Sequence, residues 1–285
     1  MKILANLYKL FRPLDASKHL VFPIIPFIFA SRMSLSMVLI VIIVFLASLF
    51  NFGLNNAFDV DTDSRNKVKK NKNPFVSKEI KKYQLYLALF LVLFIDIIAS
   101  FFLFGGVTIY LILALIFWTC YSTPPFRFKG KFVFDMLFHG LGAIFFMLYS
   151  FFAISFNLSY LLPSIIVCFT LSTLVNLENE IGDYEADKNA NLKTTAVTIG
   201  ERISFFVYLT LFIILYLATI FILQEKLHIF LLILSFMAFL IQIVNPVKKF
   251  LKISEIPVSQ LSRLYYPLYI FAGIVFILKF IQTIL

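Results

Sequence analysis

The chain has 285 residues, 61% of them hydrophobic and only 14% charged, with a formal net charge of +10. A mean hydropathy of +0.95 over such a length excludes a soluble protein and indicates a polytopic membrane protein. Membrane topology and attraction to anionic lipid account for the basic balance, so nucleic acid is not an expected partner.

Crossing a hydrocarbon core of about 30 Å takes roughly 20 apolar residues. A window of that size finds nine candidate spans, near residues 14–31, 35–56, 83–104, 106–121, 132–153, 159–177, 203–223, 227–245 and 264–285. The first carries Asp15, Ser17, Lys18 and His19 at its start, where the two cations serve as interfacial anchors or reach a phosphate. No small-residue cleavage site follows Lys2, Lys9 and Arg12, so this stretch is expected to stay in the chain and not to leave as a signal. Gly105 and Gly106 mark a tight turn between the third and fourth spans. Asp96, alone inside the third span, is expected to pack against a polar partner within the bundle. Cys120 and Cys168 fall in apolar segments and make neither a disulfide framework nor a metal pattern. No soluble domain interrupts the spans, so residues 1–285 read as one all-α integral membrane domain of nine helices.

Orientation follows from the cations. With the N-terminus cytoplasmic, all but four of the 25 basic residues fall in cytoplasmic segments, the exceptions being Lys18, Arg32, Lys226 and Lys279. The acidic residues are fewer and concentrate in two places: Asp59, Asp61 and Asp63 after the second span, and Glu178, Glu180, Asp183, Glu185 and Asp187 after the sixth. The same topology puts both on the cytoplasmic side.

If the second helix continues to Asp63, Asn55, Asp59 and Asp63 stack at i, i+4 and i+8, with Asp61 off the stripe. In the later cluster Asn176, Glu180, Asp183 and Asp187 recur at i, i+4, i+7 and i+11, with Glu178 and Glu185 off it. Like charges one turn apart destabilise a helix, and carboxylates at its C-terminus oppose the macrodipole. Solvated boundary charge would explain either cluster alone. It does not explain why the pattern repeats on one face, each time with an Asn inside the apolar run. Mg²⁺ explains both, because it binds one or two carboxylates and completes its shell with substrate phosphates and water.

These residues carry a resemblance. "NNAFDVDTDSRN" resembles the N-D-x-x-D-x-x-x-D-x-x-N signature of the UbiA-type intramembrane prenyltransferases, "ENEIGDYEADKNANLKTTAVTIG" is similar to their second motif, and "YSTPPFRFKG" to their Y-S-x-P-P-x-R-x-K stretch. The resemblance implies a nine-helix bundle around a central cavity, with both Asp-rich motifs at the cytoplasmic face. It implies that Asn55, Asp59, Asp63, Glu180, Asp183 and Asp187 hold Mg²⁺ on a prenyl diphosphate, with Asp59, Asp63, Asp183 and Asp187 essential to catalysis. It further implies that Arg12, Tyr121, Arg127, Lys129 and Lys193 bind substrate. The sequence departs from the pattern at Asn56 and Asn73, where the family commonly has Asp and Arg, at Glu180 for the first Asp of the second motif, and at Asp15, where several members have Asn. Lys72 is the candidate replacement for the missing Arg.

The implied reaction moves a prenyl or polyprenyl group from its diphosphate to a hydrophobic acceptor: an aromatic ring, a quinone precursor, a carotenoid or a lipid. The 37 Phe and 13 Tyr can face the allylic cation as well as lipid. Asp135 and His139, one turn apart, could accept a proton near the acceptor, although Lys131 and Asp135 share the same spacing and could simply pair. A UbiA-type terpene cyclase would use the same ionisation. A lipid or ion transporter is the remaining alternative, disfavoured because the acids gather at one face and not at the midplane.

Overall fold

Prolines shape the first expected span. The structure, a computed structural model, describes residues 2–29, 34–65, 73–77, 81–154 and 157–223; Lys72 and the expected spans at 227–245 and 264–285 lie outside the described residues. After α1 (Lys2–Phe11) the chain runs through α2 (Pro13–Ala16), a 3₁₀ turn (Ser17–Leu20), α3 (Val21–Ile24) and a second 3₁₀ turn (Ile25–Phe29). The expected helix at 14–31 is thus a succession of short turns. Pro23 and Pro26 supply no N–H and crowd the carbonyls four residues back, which prevents one regular helix.

The remaining elements are longer. They are α4 (Leu35–Phe58), α5 (Val60–Arg65), α6 (Pro74–Ser77), α7 (Lys82–Phe104), α8 (Thr108–Ser122), α9 (Phe134–Ile154), α10 (Leu161–Gly182), α11 (Tyr184–Asn189), α12 (Thr195–Ile199) and α13 (Glu201–Leu223). Five helical stretches among the described residues are long and apolar enough to cross a membrane. One of these, Lys82–Ser122, counts 41 residues, about 60 Å of helix and twice the hydrocarbon thickness. Gly105 breaks it with φ 56° and ψ −128°, a backbone state glycine reaches without a Cβ clash. Across the break the Ser100 and Thr108 hydroxyls are 2.9 Å apart. Eight residues of straight helix would separate them by about 12 Å, so α7 and α8 fold back on one another, as the two glycines led us to expect.

The chain divides into two compact units, the first comprising Met1–Phe27, Ser34–Phe128 and Leu141–Phe156, the second Ile28–Met33, Lys129–Gly140 and Asn157–Leu285. In the first, α4 packs against α7 and α8. Met37, Ile40, Val44, Ala47 and Asn51 form its buried stripe at helical spacing. The inward side of α7 holds Leu85, Leu89, Asp96 and Ser100, while Leu87, Phe90, Leu91, Phe94, Phe101 and Phe102 are exposed, as a lipid-facing surface requires. Asp96 is buried as expected, and among the described residues its carboxyl oxygens make no hydrogen bond. Ser100 instead donates to the Tyr149 hydroxyl at 3.0 Å. In the second unit α10 packs along α13, where Phe205, Tyr208, Phe212 and Leu215 are the buried positions.

Candidate functional site

The first acidic motif begins where α4 stops. Asp59 leaves the helix with φ −95° and ψ 9° while its N–H still donates to the Asn55 carbonyl at 2.9 Å. The Asp63 N–H then donates to the Asp59 carbonyl at 2.8 Å. The helix therefore does not run unbroken to Asp63, as the sequence led us to expect. The four-residue hydrogen-bond step from 55 to 59 to 63 nevertheless survives the break.

The second motif repeats this geometry. Asp183 follows α10 with φ −96° and ψ 7°, its N–H donates to the Asn179 carbonyl at 2.9 Å, and the Asp187 N–H donates to the Asp183 carbonyl at 2.8 Å. Two helices in different units thus end on an aspartate in the bridge region of φ/ψ space, where active-site residues recur. The match aligns Asn55 with Asn179, a correspondence the reading from Asn176 missed.

Each carboxylate is held differently. The Asp59 carboxylate is buried, with Arg127 Nη2 at 3.5 Å from its Oδ1. Asp63 Oδ2 accepts from Asn73 Nδ2 at 2.8 Å. Asn73 is 1% exposed and makes three contacts: its Nδ2 also donates to the Asn56 carbonyl at 2.8 Å, and its Oδ1 accepts from the Phe75 N–H at 3.0 Å. Asn56 donates to the carbonyls of Leu10 at 2.9 Å and Lys9 at 3.2 Å, closing the C-terminus of α1. The departures at 56 and 73 are thus one connected piece of structure, which orients Asp63 and ties α1 to the end of α4.

In the second unit Glu180 has both oxygens engaged. Oε1 accepts from Asn176 Nδ2 at 2.7 Å and Oε2 from the Ala196 N–H at 3.1 Å. Asp135 accepts from the Thr195 N–H at 2.6 Å, from the Thr195 hydroxyl and from the Met136 N–H at 2.7 Å. Two carboxyl groups therefore fasten the first residues of α12. The proton-accepting pair suggested by the spacing of Asp135 and His139 is replaced by these contacts and by a 2.7 Å hydrogen bond between His139 Nδ1 and the Ser172 hydroxyl.

Of the cationic candidates, Arg12 binds Asp15 through Nη2 at 2.7 Å and lies over the Phe52 ring at 5.2 Å. Lys18 reaches the same carboxylate at 2.9 Å. Tyr121 meets Trp118 edge-to-face at 5.9 Å. Lys129 sits in the 3₁₀ turn Phe128–Gly130, and Lys193 is exposed and bridged in parallel to Lys131. His19 is enclosed by aromatic rings. Of the residues off the stripes, Glu185 is exposed, whereas Glu178 is buried.

Among the described residues no three carboxylate, imidazole or thiol groups gather as a cage for a metal. Mg²⁺ is commonly bound through one or two carboxylates and the phosphates of a substrate. The oxygen donors of each motif, with Asp63 fixed by Asn73, suit that mode.

The comparisons bear on what the arrangement serves. The model of the UbiA prenyltransferase family matches residues 20–252. A solved UbiA homolog from Archaeoglobus fulgidus bound to GPP and Mg²⁺ superimposes with a TM-score of 0.79 at 19% identity, covering 98% of this chain and 100% of that one. The same homolog bound to DMAPP and Mg²⁺ gives 0.75 at 20% identity, with 98% and 99% covered. A structure of digeranylgeranylglyceryl phosphate synthase gives 0.68 at 18% identity, with 99% of each chain covered. A comparison with curated proteins finds no match.

Proposed function

The chain belongs to the UbiA prenyltransferase family, and from that premise we propose that it is an intramembrane enzyme transferring a prenyl group from its diphosphate to a hydrophobic acceptor. The observation that carries the reading is the repeated helix ending, which sets Asp59 with Asp63 and Asp183 with Asp187 in the same backbone geometry. Asn55, Asp59, Asp63, Asp183 and Asp187 would hold Mg²⁺ on the diphosphate, as the ion accompanies GPP and DMAPP in the Archaeoglobus homolog. Glu180 joins this set by resemblance, while its two hydrogen bonds suit it to steadying the segment that carries Lys193.

When bound, Mg²⁺ would neutralise the charge that grows on the departing diphosphate. The protein's part is to hold that group still. Arg127 and Lys193, with Lys129 near Arg127 and Lys72 next to Asn73 in the sequence, supply positive charge; Asn73 keeps Asp63 in one orientation. As the allylic C–O bond breaks, its electron pair leaves with the diphosphate and the acceptor attacks the carbon. Preorganised charge in a water-poor site makes such ionisation fast. Mg²⁺-dependent diphosphate release from DMAPP or GPP by purified protein tests the reading, and no release above a no-enzyme control overturns it. Release that proceeds equally with and without acceptor, giving cyclic hydrocarbon, would identify a cyclase.

Nine spans with a cytoplasmic N-terminus complete the proposal, placing both motifs and the loop from Tyr121 to Lys131 on the cytoplasmic side. Single cysteines near Lys70, Lys129 and Lys188 are then expected to react with an impermeant thiol reagent only after right-side-out vesicles are opened. Labelling of any one in sealed vesicles would mean that a span is miscounted.

A further inference from the structure

The backbone around Lys193 is braced on both sides. Before it, Asn191 takes φ 55° and the Leu192 N–H donates to the Asp187 carbonyl at 3.0 Å, tying the segment to the second acidic motif. After it, the Thr195 N–H donates to Asp135 Oδ2 at 2.6 Å and the Thr195 hydroxyl donates to Asp135 Oδ1. Asp135 and Thr195 are buried, while Lys193 between the two braces stays exposed.

Asp135 and Thr195 also fix a second exposed lysine, Lys131. The Asp135 N–H donates to the Lys131 carbonyl at 3.0 Å. The Thr195 hydroxyl, whose proton goes to Asp135, accepts from the Val133 N–H at 2.9 Å. Val133 has φ 68°, where a β-branched residue is an outlier, and such a backbone persists only where its surroundings over-determine it. Those surroundings press the loop against the Lys193 segment: Lys131 pairs in parallel with Lys193, and a Cβ on Gly130 would meet Leu192 at 3.5 Å. Paired backbones lie about 4.8 Å apart, so two ammonium-bearing chains start from adjacent points. Like charges directly opposite one another repel. A polyanion between them turns that repulsion into two charge-assisted contacts, and the buried brace and the strained Val133 then have a use.

We propose that Asp135 and Thr195 are positioning residues that hold Lys131 and Lys193 side by side as a two-ammonium grip on the diphosphate. The identity of the anion rests on the prenyl-transfer reading. Being buried, Asp135 and Thr195 act through the backbone of 131–133 and 193–195 and not by touching the anion.

The full-length protein in detergent is titrated calorimetrically with pyrophosphate in the presence of Mg²⁺, which needs no turnover. Lys131→Gln and Lys193→Gln are each expected to weaken binding about tenfold, the scale of one charge-assisted hydrogen bond. Arg202→Gln, exposed in the first turn of α13, should stay within about twofold of wild type. Thr195→Val keeps the shape and loses the hydroxyl, and should also cost about tenfold, whereas Thr195→Ser restores binding. Because Thr195 acts through the lysines, adding Thr195→Val to Lys193→Gln should weaken binding by less than about twofold more. Losses that multiply would mean a merely structural role and overturn the proposal. So would wild-type binding by Lys131→Gln, an equal loss in Arg202→Gln, or no pyrophosphate binding by the wild type. If the buried variants do not fold, the exposed lysines decide, since a loss confined to one of them overturns the grip. The expected binding pattern without diphosphate release from DMAPP or GPP would leave the grip standing and remove the prenyltransferase; release without that pattern would do the reverse.

Discussion

Asp63→Asn is expected to lower Mg²⁺-dependent diphosphate release by at least about a hundredfold, in line with the loss of one preorganised electrostatic partner, while the protein still inserts and purifies. The side chain keeps its size and retains an oxygen that can accept from Asn73, so the contact at 2.8 Å survives and only the charge is lost. Asp187→Asn, in the matching position after Asp183, should behave the same way. The control is Glu185→Gln, whose side chain is exposed and should retain activity within about a factor of three, as ordinary surface changes do. Near wild-type release by Asp63→Asn or Asp187→Asn would remove the assignment of these aspartates to the diphosphate. The same loss in Glu185→Gln would show that overall negative charge, and not the two pairs, controls the rate.

Asn56→Asp should destabilise the protein, although aspartate is the residue the family resemblance leads one to expect there. The Asn56 amide donates to the carbonyls of Leu10 and Lys9. An ionised carboxylate has no proton to give and would set its oxygens against those two. The expected loss is about 2–4 kcal/mol, from two broken hydrogen bonds and an unpaired buried charge. It is read as a lower unfolding midpoint in detergent, with α1 becoming accessible to protease first. Asn56→Ala, which removes the donor without adding charge, should fall between the two. If Asn56→Asp is as stable as wild type, the asparagine does not close α1, and its place in the sequence needs another explanation.

The long helices were legible because each is an apolar run bounded by charge or glycine: 35–56 is expected and α4 is found at Leu35–Phe58, 83–104 is expected and α7 is found at Lys82–Phe104. The broken course of the first span was not legible, because hydropathy registers the apolar side chains of 14–31 but not the backbone N–H groups missing from Pro23 and Pro26. The four-residue spacing of Asn55, Asp59 and Asp63 persists in the folded chain, since helical hydrogen bonding carries that period through Asp59.

What spacing could not supply is the partner of each polar group. Asp135 and His139 look like a pair in one dimension, yet in the folded chain Thr195 and Ser172 take them up. Glu180 looks like a stripe member and is bound to Asn176 and the start of α12. Asn73 looks like a lost arginine and is the clamp on Asp63. The sequence by itself determined membrane residence, the helical class and the four-residue spacing of the two aspartate pairs, because these depend on composition and on periodicity along one chain; its three motifs carried the resemblance to the family. Only the tertiary structure decided which carboxylates have their lone pairs taken by neighbouring donors, because a hydrogen bond is satisfied by whatever lies within about 3 Å in space, however distant in sequence.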